Sequence, residues 1–260
     1  MPNTHRILRV LNAFTPERPE ISPDWLMAEL GASRASIYRD LQQLSSVGLI
    51  ERVSERGYSL GPKIVELDRQ IRQSDPLLRS AAEIPEQLAR TTGGTVLICR
   101  LHDDKVLCIQ DISGQHAPLA VSYERGKAMP LYRGATSKII LAHLPPKKVA
   151  ELFAKDHAAI QVAGLAEHLD HLNAQLKQWR SEGSVTTEAE LDPQTVGCAV
   201  ALLHGKRVLG SLSVVLPAAA LTPEQHTRNL RELRSAARRI EVRLAASSHR
   251  KMSSSTTTAS

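Results

Sequence analysis

Residues 33–60 read SRASIYRDLQQLSSVGLIERVSERGYSL, and this stretch predicts the fold of the amino-terminal part of the chain. A helix that begins at Arg34 places one stripe of residues inward at spacings of four, three and four: Ile37, Leu41, Leu44 and Gly48. Ser33 is a suitable N-cap for this helix, and Gly48 favours its end. Two short apolar runs, 49–53 and 58–60, then flank a charged turn, which is typical of a β-hairpin.

Two more helices are predicted upstream of this stretch. Residues 4–14 carry apolar side chains at helical spacing, and Ser22-Pro23-Asp24 opens a second helix. The short link Gly31-Ala32-Ser33 joins that helix to the next, which is polar on its outer face. Two helices, a tight turn and a following hairpin predict a winged helix-turn-helix that inserts one helix into the major groove of DNA.

The outer face of the third helix supplies the candidate DNA-binding residues. Side chains with long polar arms can reach bases and phosphates from this helix, and two basic residues at or after the hairpin tip can reach the sugar-phosphate backbone. The candidates on the helix are Arg34, Ser36, Tyr38, Arg39 and Gln43, and those of the wing are Arg56 and Lys63. A solvated helix face is the alternative interpretation of any one of these residues.

Several separated runs resemble one family. Residues 33–44, 48–52 and 57–63 are similar to the amino-terminal domain of the IclR family of bacterial transcription regulators, and the resemblance continues through 126–142 and 183–217. It implies a transcription regulator with a GAF-like effector domain that binds a small molecule. It also implies a homodimer or homotetramer that binds a double-stranded DNA operator.

Composition limits the other possibilities. The chain has 260 residues, enough for two domains with a core each. It contains no apolar run of 18 residues and no signal peptide pattern at its start, so we expect a cytoplasmic protein with no membrane contact. The three cysteines have no paired spacing and are expected to be reduced thiols.

The basic charge is concentrated far from the predicted DNA-binding domain. The chain has a net charge of +6, yet residues 1–70 contain nine Lys and Arg and nine Asp and Glu. Residues 228–251 contain eight Lys and Arg against two Glu. The prediction of DNA binding therefore depends on where individual side chains lie and not on bulk charge.

The remaining residues predict an α+β architecture in two domains. We expect the winged helix-turn-helix at 1–61, a linker helix at 62–73, an effector domain at 74–246 and a disordered tail at 247–260. The effector domain is predicted to be a mainly antiparallel sheet covered by helices. Its predicted strands are 96–101, 106–112, 119–123, 198–203 and 208–216, and its predicted helices are 77–91, 130–144, 147–153, 165–180 and 223–246.

The resemblance also implies an effector pocket. Residues 132–138 match a helix start that lines the pocket in the family, Glu188 and Cys198 match two further pocket positions, and Ser213 matches a hydroxyl that holds the ligand. The implied contacts are Arg133, Ala135, Thr136, Glu188, Cys198 and Ser213. Val215 departs from the family because some members have a second serine there. Alternatively, Cys198 and the small residues 134–137 serve packing only, and Ser213 satisfies a neighbouring backbone group.

The polarity of this set suggests an effector class. A helix N-terminus favours an anion, and Arg133 could pair with a carboxylate, whereas Glu188 could accept a hydrogen bond from a hydroxyl. We therefore expect a small organic acid, such as an aromatic or hydroxy acid of a catabolic pathway. An enzyme is disfavoured because there is no G-x-S-x-G elbow and no phosphate loop, and neither a cofactor nor a metal is expected. A winged helix that contacts protein rather than DNA is the remaining alternative.

Overall fold

The computed structural model describes residues 3–55, 57–117 and 121–256. The chain forms two compact units, Met1–Asp75 and Pro76–Ser260. Both units contain helices and strands in separate runs, as the α+β prediction requires. Over the described residues, none of the helices combines the length and apolar character that a membrane crossing needs.

The amino-terminal unit is a winged helix-turn-helix followed by one further helix. Its elements are α1 (Asn3–Asn12), α2 (Pro23–Leu30), α3 (Arg34–Ser46), β1 (Ile50–Arg52), β2 (Tyr58–Leu60) and α4 (Lys63–Ser74). The hydroxyl oxygen of Ser22 accepts the N–H of Trp25 at the start of α2, and that of Ser33 accepts the N–H of Ser36 at the start of α3. Gly31 ends α2 in the left-handed conformation at φ +59°, which glycine adopts without strain. These local signals place the turn between α2 and α3 where the sequence predicts it.

An ion pair joins the first helix of this unit to the third. The apolar core between α1, α2, α3 and β1 includes Val10, Leu26, Ile37 and Leu41. Beside it, the carboxylate of Asp40 is fully buried and accepts bonds from Arg6 Nε at 2.5 Å and Nη2 at 3.1 Å. A bidentate pair of this kind satisfies a buried charge that would otherwise destabilise the domain.

The carboxy-terminal unit is built on one six-stranded antiparallel sheet with the order β5-β4-β3-β8-β7-β6. The strands are β3 (Thr95–His102), β4 (Lys105–Ile112), β5 (Ala128–Pro130), β6 (Val185–Glu188), β7 (Thr195–His204) and β8 (Arg207–Pro217). The helices are α5 (Pro76–Ala81), α6 (Ile84–Thr92), α7 (Gly134–Ala142), α8 (Pro146–Val162), α9 (Leu169–Glu182) and α10 (Pro223–Thr256). A short 3₁₀ helix, Ala218–Ala220, precedes α10.

Helices cover both faces of the sheet, so the unit has two cores. The first core contains residues of α7, α8 and α9, and the second contains residues of α5, α6 and α10. Side chains alternate along each strand. In β8, Val215 belongs to the first core, whereas Leu212 and Val214 belong to the second. The face on which a residue lies is therefore decided by its parity within the strand.

The structure differs from the sequence prediction at several elements. The predicted strand 119–123 is absent over Val121–Tyr123, because the N–H of Ser122 donates to the Asp192 carboxylate instead of a sheet partner, and residues 119 and 120 lie outside the described residues. The predicted helix 77–91 is two helices, α5 and α6, with Ala82 between them at φ +41°. The short strand β6 was not predicted.

Several helix bounds also differ, among them that of α9, which begins at Leu169 rather than at residue 165. Helix α7 begins at Gly134 rather than at residue 130, since Ala128–Pro130 pair with β4 as β5. Helix α8 continues to Val162 through an irregular turn at Asp156, whereas the sequence predicts its end at residue 153. Helix α10 continues to Thr256 across the predicted disordered tail, and residues 257–260 lie outside the described residues.

We expect Arg6→Met to destabilise the amino-terminal unit by about 3 kcal/mol, because it leaves the buried Asp40 carboxylate without its bidentate partner. The measurement is urea unfolding followed by fluorescence in a Trp179→Phe background, where Trp25 is the remaining tryptophan. Adding Asp40→Asn to Arg6→Met removes the unpaired charge and should restore part of the lost stability. An Arg6→Met protein as stable as its parent would contradict the prediction.

Candidate functional site

The outer face of α3 is exposed and polar. Arg34, Tyr38, Arg39 and Gln43 are all exposed, and the guanidinium carbon of Arg34 lies 5.5 Å from the centroid of the Tyr38 ring. This face and the hairpin together line an open groove. The residues that line it are Ala35, Tyr38, Arg39, Gln42, Ser45, Arg52 and Tyr58. Guanidinium, amide and phenol groups on one helix face can donate to base edges and to phosphates.

The other predicted DNA-binding residues have different surroundings. Ser36 is half-buried, and its hydroxyl oxygen accepts a bond from the Ser33 hydroxyl at 3.0 Å, so it belongs to the N-terminal cap of α3. Lys63 begins α4 and pairs with Glu66 at 2.6 Å. Arg56 lies outside the described residues. Arg52, on the first wing strand, lines the groove and donates to the carbonyls of Ser54 and Glu55 in the turn of the hairpin.

A small cavity lies at the N-terminus of α7. Its volume is about 30 Å³, room for about two water molecules. Predicted residues Ala135 and Thr136 line it, together with side chains from β6, from the following loop and from β7 and β8. Those additional residues are Val121, Tyr123, Gly134, Thr187, Glu190, Leu191, Asp192, Thr195, Gly197 and Val215.

Two side chains from β6 and the loop after it satisfy the first N–H groups of α7. The N–H of Gly134 donates to Glu190 Oε1 at 3.1 Å, and the N–H of Ala135 donates to Thr187 Oγ1 at 3.2 Å. Glu190 Oε2 accepts a bond from Lys138 Nζ at 2.6 Å, one turn further along the helix. Gly134 has φ +74°, and a Cβ at this position would lie 2.6 Å from Leu191 Cδ1, so glycine allows the loop to approach the helix.

Hydroxyl groups tie α7 to β8 beneath the cavity. Thr136 Oγ1 lies 2.9 Å from Ser213 Oγ, and Ser211 Oγ donates to the Thr136 carbonyl at 3.0 Å. The Tyr123 hydroxyl donates to the Arg133 carbonyl and is 2.7 Å from Ser137 Oγ. Burial raises the pKa of Tyr123, so this phenol stays neutral and remains a donor. Ser213 thus positions Thr136 and is not itself among the lining residues.

Arg133 lies at the rim of this cavity. It is exposed, and its Nη2 donates to the Glu190 carbonyl at 3.1 Å. It lines a separate open groove on the outer side of the loop, together with Tyr132 and Glu190. The structure therefore places the Arg133 guanidinium against the loop rather than inside the cavity.

Glu188 and Cys198 require a correction, because the structure places both on the opposite face of the sheet. Cys198 belongs to the core beneath α10, and its partner on β6 is Thr186, whose hydroxyl donates to Cys198 Sγ at 3.7 Å. Glu188 has the same parity as Thr186 and is exposed. Thr187 faces the cavity instead, opposite Gly197.

Glu190, two residues after Glu188, supplies the acidic group of this site. It follows Ala189, which ends β6 in a left-handed turn at φ +51°. The resemblance matches Glu188 and Cys198 to pocket positions, and the two residues do share one face of the sheet, but it is the face opposite the cavity. The signal that could have found Thr187 is the register with Gly197, but the sequence alone does not establish that β6 exists.

Metal binding finds no support among the described residues, which contain no group of three or more His, Cys, Asp and Glu suited to hold an ion. The rings of His168 and His171, at the start of α9, have centroids 6.1 Å apart.

Comparison with protein families gives two matches that together span most of the chain. Residues 70–242 match the model described as the bacterial transcriptional regulator IclR C-terminal domain. Residues 4–54 match the model described as the IclR helix-turn-helix domain.

Individual proteins give the same result. The transcriptional regulator XynR of Escherichia coli is 27% identical over 217 residues, covering 82% of this chain and 84% of its own length. The regulator KdgR of the same organism is 25% identical over 241 residues, covering 92% and 91%. An IclR homolog of Microbacterium hydrocarbonoxydans complexed with 4-hydroxybenzoate is similar with a TM-score of 0.77 at 21% identity, covering 94% of this chain and all of its own. At that identity the last similarity shows the fold alone.

We expect the Cys198 thiol to resist modification in the folded protein, because it is buried beneath α10 and burial raises its pKa. Reaction with a disulfide reagent at pH 8 should be more than about tenfold slower than for free cysteine, with full reactivity after denaturation. Mass spectrometry of the labelled peptides identifies the residue. Rapid labelling of Cys198 would return it to the list of effector contacts.

Proposed function

Since the chain belongs to the IclR family of bacterial transcription regulators, we propose that its winged helix-turn-helix binds a double-stranded DNA operator in the cytoplasm and that a small organic acid controls this binding. The observation that carries the proposal is the exposed polar face of α3, with Arg39 at its centre and the hairpin beside it. An α-helix with side chains is about 10–12 Å across and fits a major groove about 12 Å wide.

Position rather than charge supports the assignment of contacts. Residues 1–70 carry equal numbers of basic and acidic side chains, so a general attraction to phosphate is weak. Arg34, Tyr38, Arg39 and Gln43 nevertheless lie together on α3, and Arg52 lies beside them on the wing. We assign base contacts to this group, whereas we assign Ser36 to the N-terminal cap of α3 and not to DNA. A bidentate arginine contact with guanine is the commonest specific contact of such helices.

A homodimer or homotetramer fits the exposed side of α4. This helix buries none of its residues, and it exposes Val65 by 72%, Ile71 by 51% and Leu67 by 38%. Apolar side chains on an otherwise charged helix favour contact with another subunit. Paired α3 helices of a dimer would then bind a pseudo-palindromic operator, one half-site each.

The cavity at α7 is the proposed effector site. Its N–H groups and Lys138 attract an anion, and the hydroxyls of Thr136 and Thr195 can bond to further oxygens of a ligand. The 4-hydroxybenzoate in the Microbacterium homolog is an acid with a hydroxyl group, which supports the same class of effector here. A ligand of that size needs a pocket of several hundred Å³, so the loop after β6 must move when it binds.

A winged helix that binds protein is the second candidate, favoured by the balanced charge of residues 1–70. Salt dependence separates the two candidates. Contacts with phosphates release counterions, so DNA affinity should fall steeply between two salt concentrations, whereas contacts with a protein need not respond in this way.

We expect Arg39→Ala to weaken operator binding about 10- to 100-fold, because it removes a long donor from the centre of the exposed α3 face. The measurement is fluorescence anisotropy with the intergenic DNA beside the protein's own gene, at two salt concentrations. Arg69→Ala is the matched control, since Arg69 is exposed in the same unit but lies on α4. Equal losses for the two variants would indicate a charge effect and remove the recognition-helix assignment.

We expect 4-hydroxybenzoate to alter operator affinity more than benzoate does, because the hydroxyl can bond to polar side chains of the cavity while the carboxylate binds at α7. The same anisotropy assay, run with a panel of hydroxy acids and their deoxy analogues, measures the difference. If every acid left operator affinity unchanged, control by an organic acid would be excluded for the panel tested.

A further inference from the structure

Glu190 already occupies the position that an effector carboxylate would take. Its Oε1 accepts the first N–H of α7, from Gly134, and its Oε2 accepts the ammonium group of Lys138. The side chains of Lys138 and Glu190 are only 10% and 18% exposed. A free carboxylate at a helix N-terminus beside a lysine would make the same two kinds of charge-assisted bond.

The surroundings of Lys138 require an anion at this place. The whole of α7 is buried, Lys138 included, and its Nζ lies 5.9 Å from the centroid of the Trp179 ring. An ammonium group removed from water is costly unless a negative group pairs with it. The partial positive charge of the helix N-terminus adds to this requirement. The site is therefore stable when filled by a carboxylate, whether that group comes from the chain or from a ligand.

Glu190 lies on an irregular loop, residues 189–194, rather than on a strand. The loop after β6 contains Ala189 at φ +51° and Gln194 at φ +59°, and non-glycine residues in this region are strained by about 1 kcal/mol each. The loop is fixed to the rest of the domain by polar contacts, including the two bonds that Ser122 donates to Asp192. The pairing of β6 with β7 ends at Glu188, and one further backbone bond, from the Ala189 N–H to the Thr195 carbonyl at 2.8 Å, precedes Glu190.

The volume beside Glu190 excludes simultaneous binding. The cavity of about 30 Å³ is far smaller than a pocket for a drug-sized ligand, so an aromatic acid does not fit while the loop and the Glu190 side chain keep their places. Two carboxylates on one pair of donors would also repel each other. The N-terminus of α7 can therefore hold either the Glu190 carboxylate or a free acid, but not both.

We propose, on the basis of the effector site assigned above, that Glu190 is a tethered internal ligand which a free carboxylate must displace from α7. The apparent affinity for the effector is then reduced by the fraction of molecules in which Glu190 is released. The same competition selects acids over neutral compounds. When Glu190 leaves, Lys138 and the N-terminus of α7 lose a negatively charged acceptor, and only another anion can replace it. Binding is coupled to movement of residues 189–194, which is the conformational signal of this domain.

Chemical rescue tests the proposal. Glu190→Ala should lower the midpoint of thermal unfolding by about 4 °C, because it leaves the buried Lys138 and the Gly134 N–H without their acceptor. Sodium acetate should restore at least half of that loss, while equal concentrations of sodium chloride or acetamide should not. Glu188→Ala is the matched control, because this exposed glutamate lies two residues away and faces the opposite side of the sheet.

The rescue experiment can succeed or fail independently of the operator-binding experiments that test the proposed function. Rescue of Glu190→Ala by acetate, without rescue of Glu188→Ala, supports the internal ligand even if no acid alters operator affinity. An equal response of both variants, or none, overturns it even if an acid does alter operator affinity. Should Glu190→Ala fail to fold, Glu190→Gln serves instead: it weakens the bond to Lys138, so sodium acetate should raise its midpoint of thermal unfolding more than that of Glu188→Gln, and an equal response of the two variants overturns the proposal.

Discussion

A helix that begins inside a protein must find acceptors for its first N–H groups, and this requirement dominates the carboxy-terminal unit. All nine residues of α7 are buried, and Arg133 provides no side-chain cap. Thr187 and Glu190 supply the missing acceptors from β6 and its loop. The loop is therefore held over α7 by the helix itself. Gly134 permits the close approach, because a Cβ there would collide with Leu191.

The two-sided sheet explains why these acceptors come from such a narrow set of positions. Consecutive residues of a strand face opposite helical layers, so a single step along β6 exchanges the α7 side for the α10 side. Thr187 reaches Ala135 of α7, while Thr186 contacts Cys198 and His226 on the other face. A polar residue displaced by one position would leave a buried N–H without a partner. The cavity is consequently defined by strand parity more than by residue type.

Features set by local signals could be predicted from the sequence, whereas features set by the pairing of two strands could not. The α2–α3 turn and the wing could be predicted because Ser22, Gly31 and Ser33 act within a few residues of where they stand. Ala135 and Thr136, which the family resemblance implied, line the cavity at the start of α7. Glu188 and Cys198 could not, since their faces depend on the register between β6 and β7, and β6 has only four residues. Glu190 lies beyond the strand on a left-handed turn that no periodicity indicates. The break at Ala82 likewise depends on packing of α5 and α6 against α10.

The position of the Glu190 carboxylate, at the N-terminus of α7 and beside Lys138, affects the stability of the domain. A pocket that was empty before binding would leave Lys138 and the α7 N–H groups unsatisfied, and the protein would lose stability. Glu190 removes that penalty, so the unliganded domain remains well packed. In the proposed exchange, a free acid would replace the Glu190 carboxylate at the same donors, and α7 would not need to change. A ligand changes an equilibrium only through its differential affinity for two states, and the proposal assigns the second state to the loop after β6.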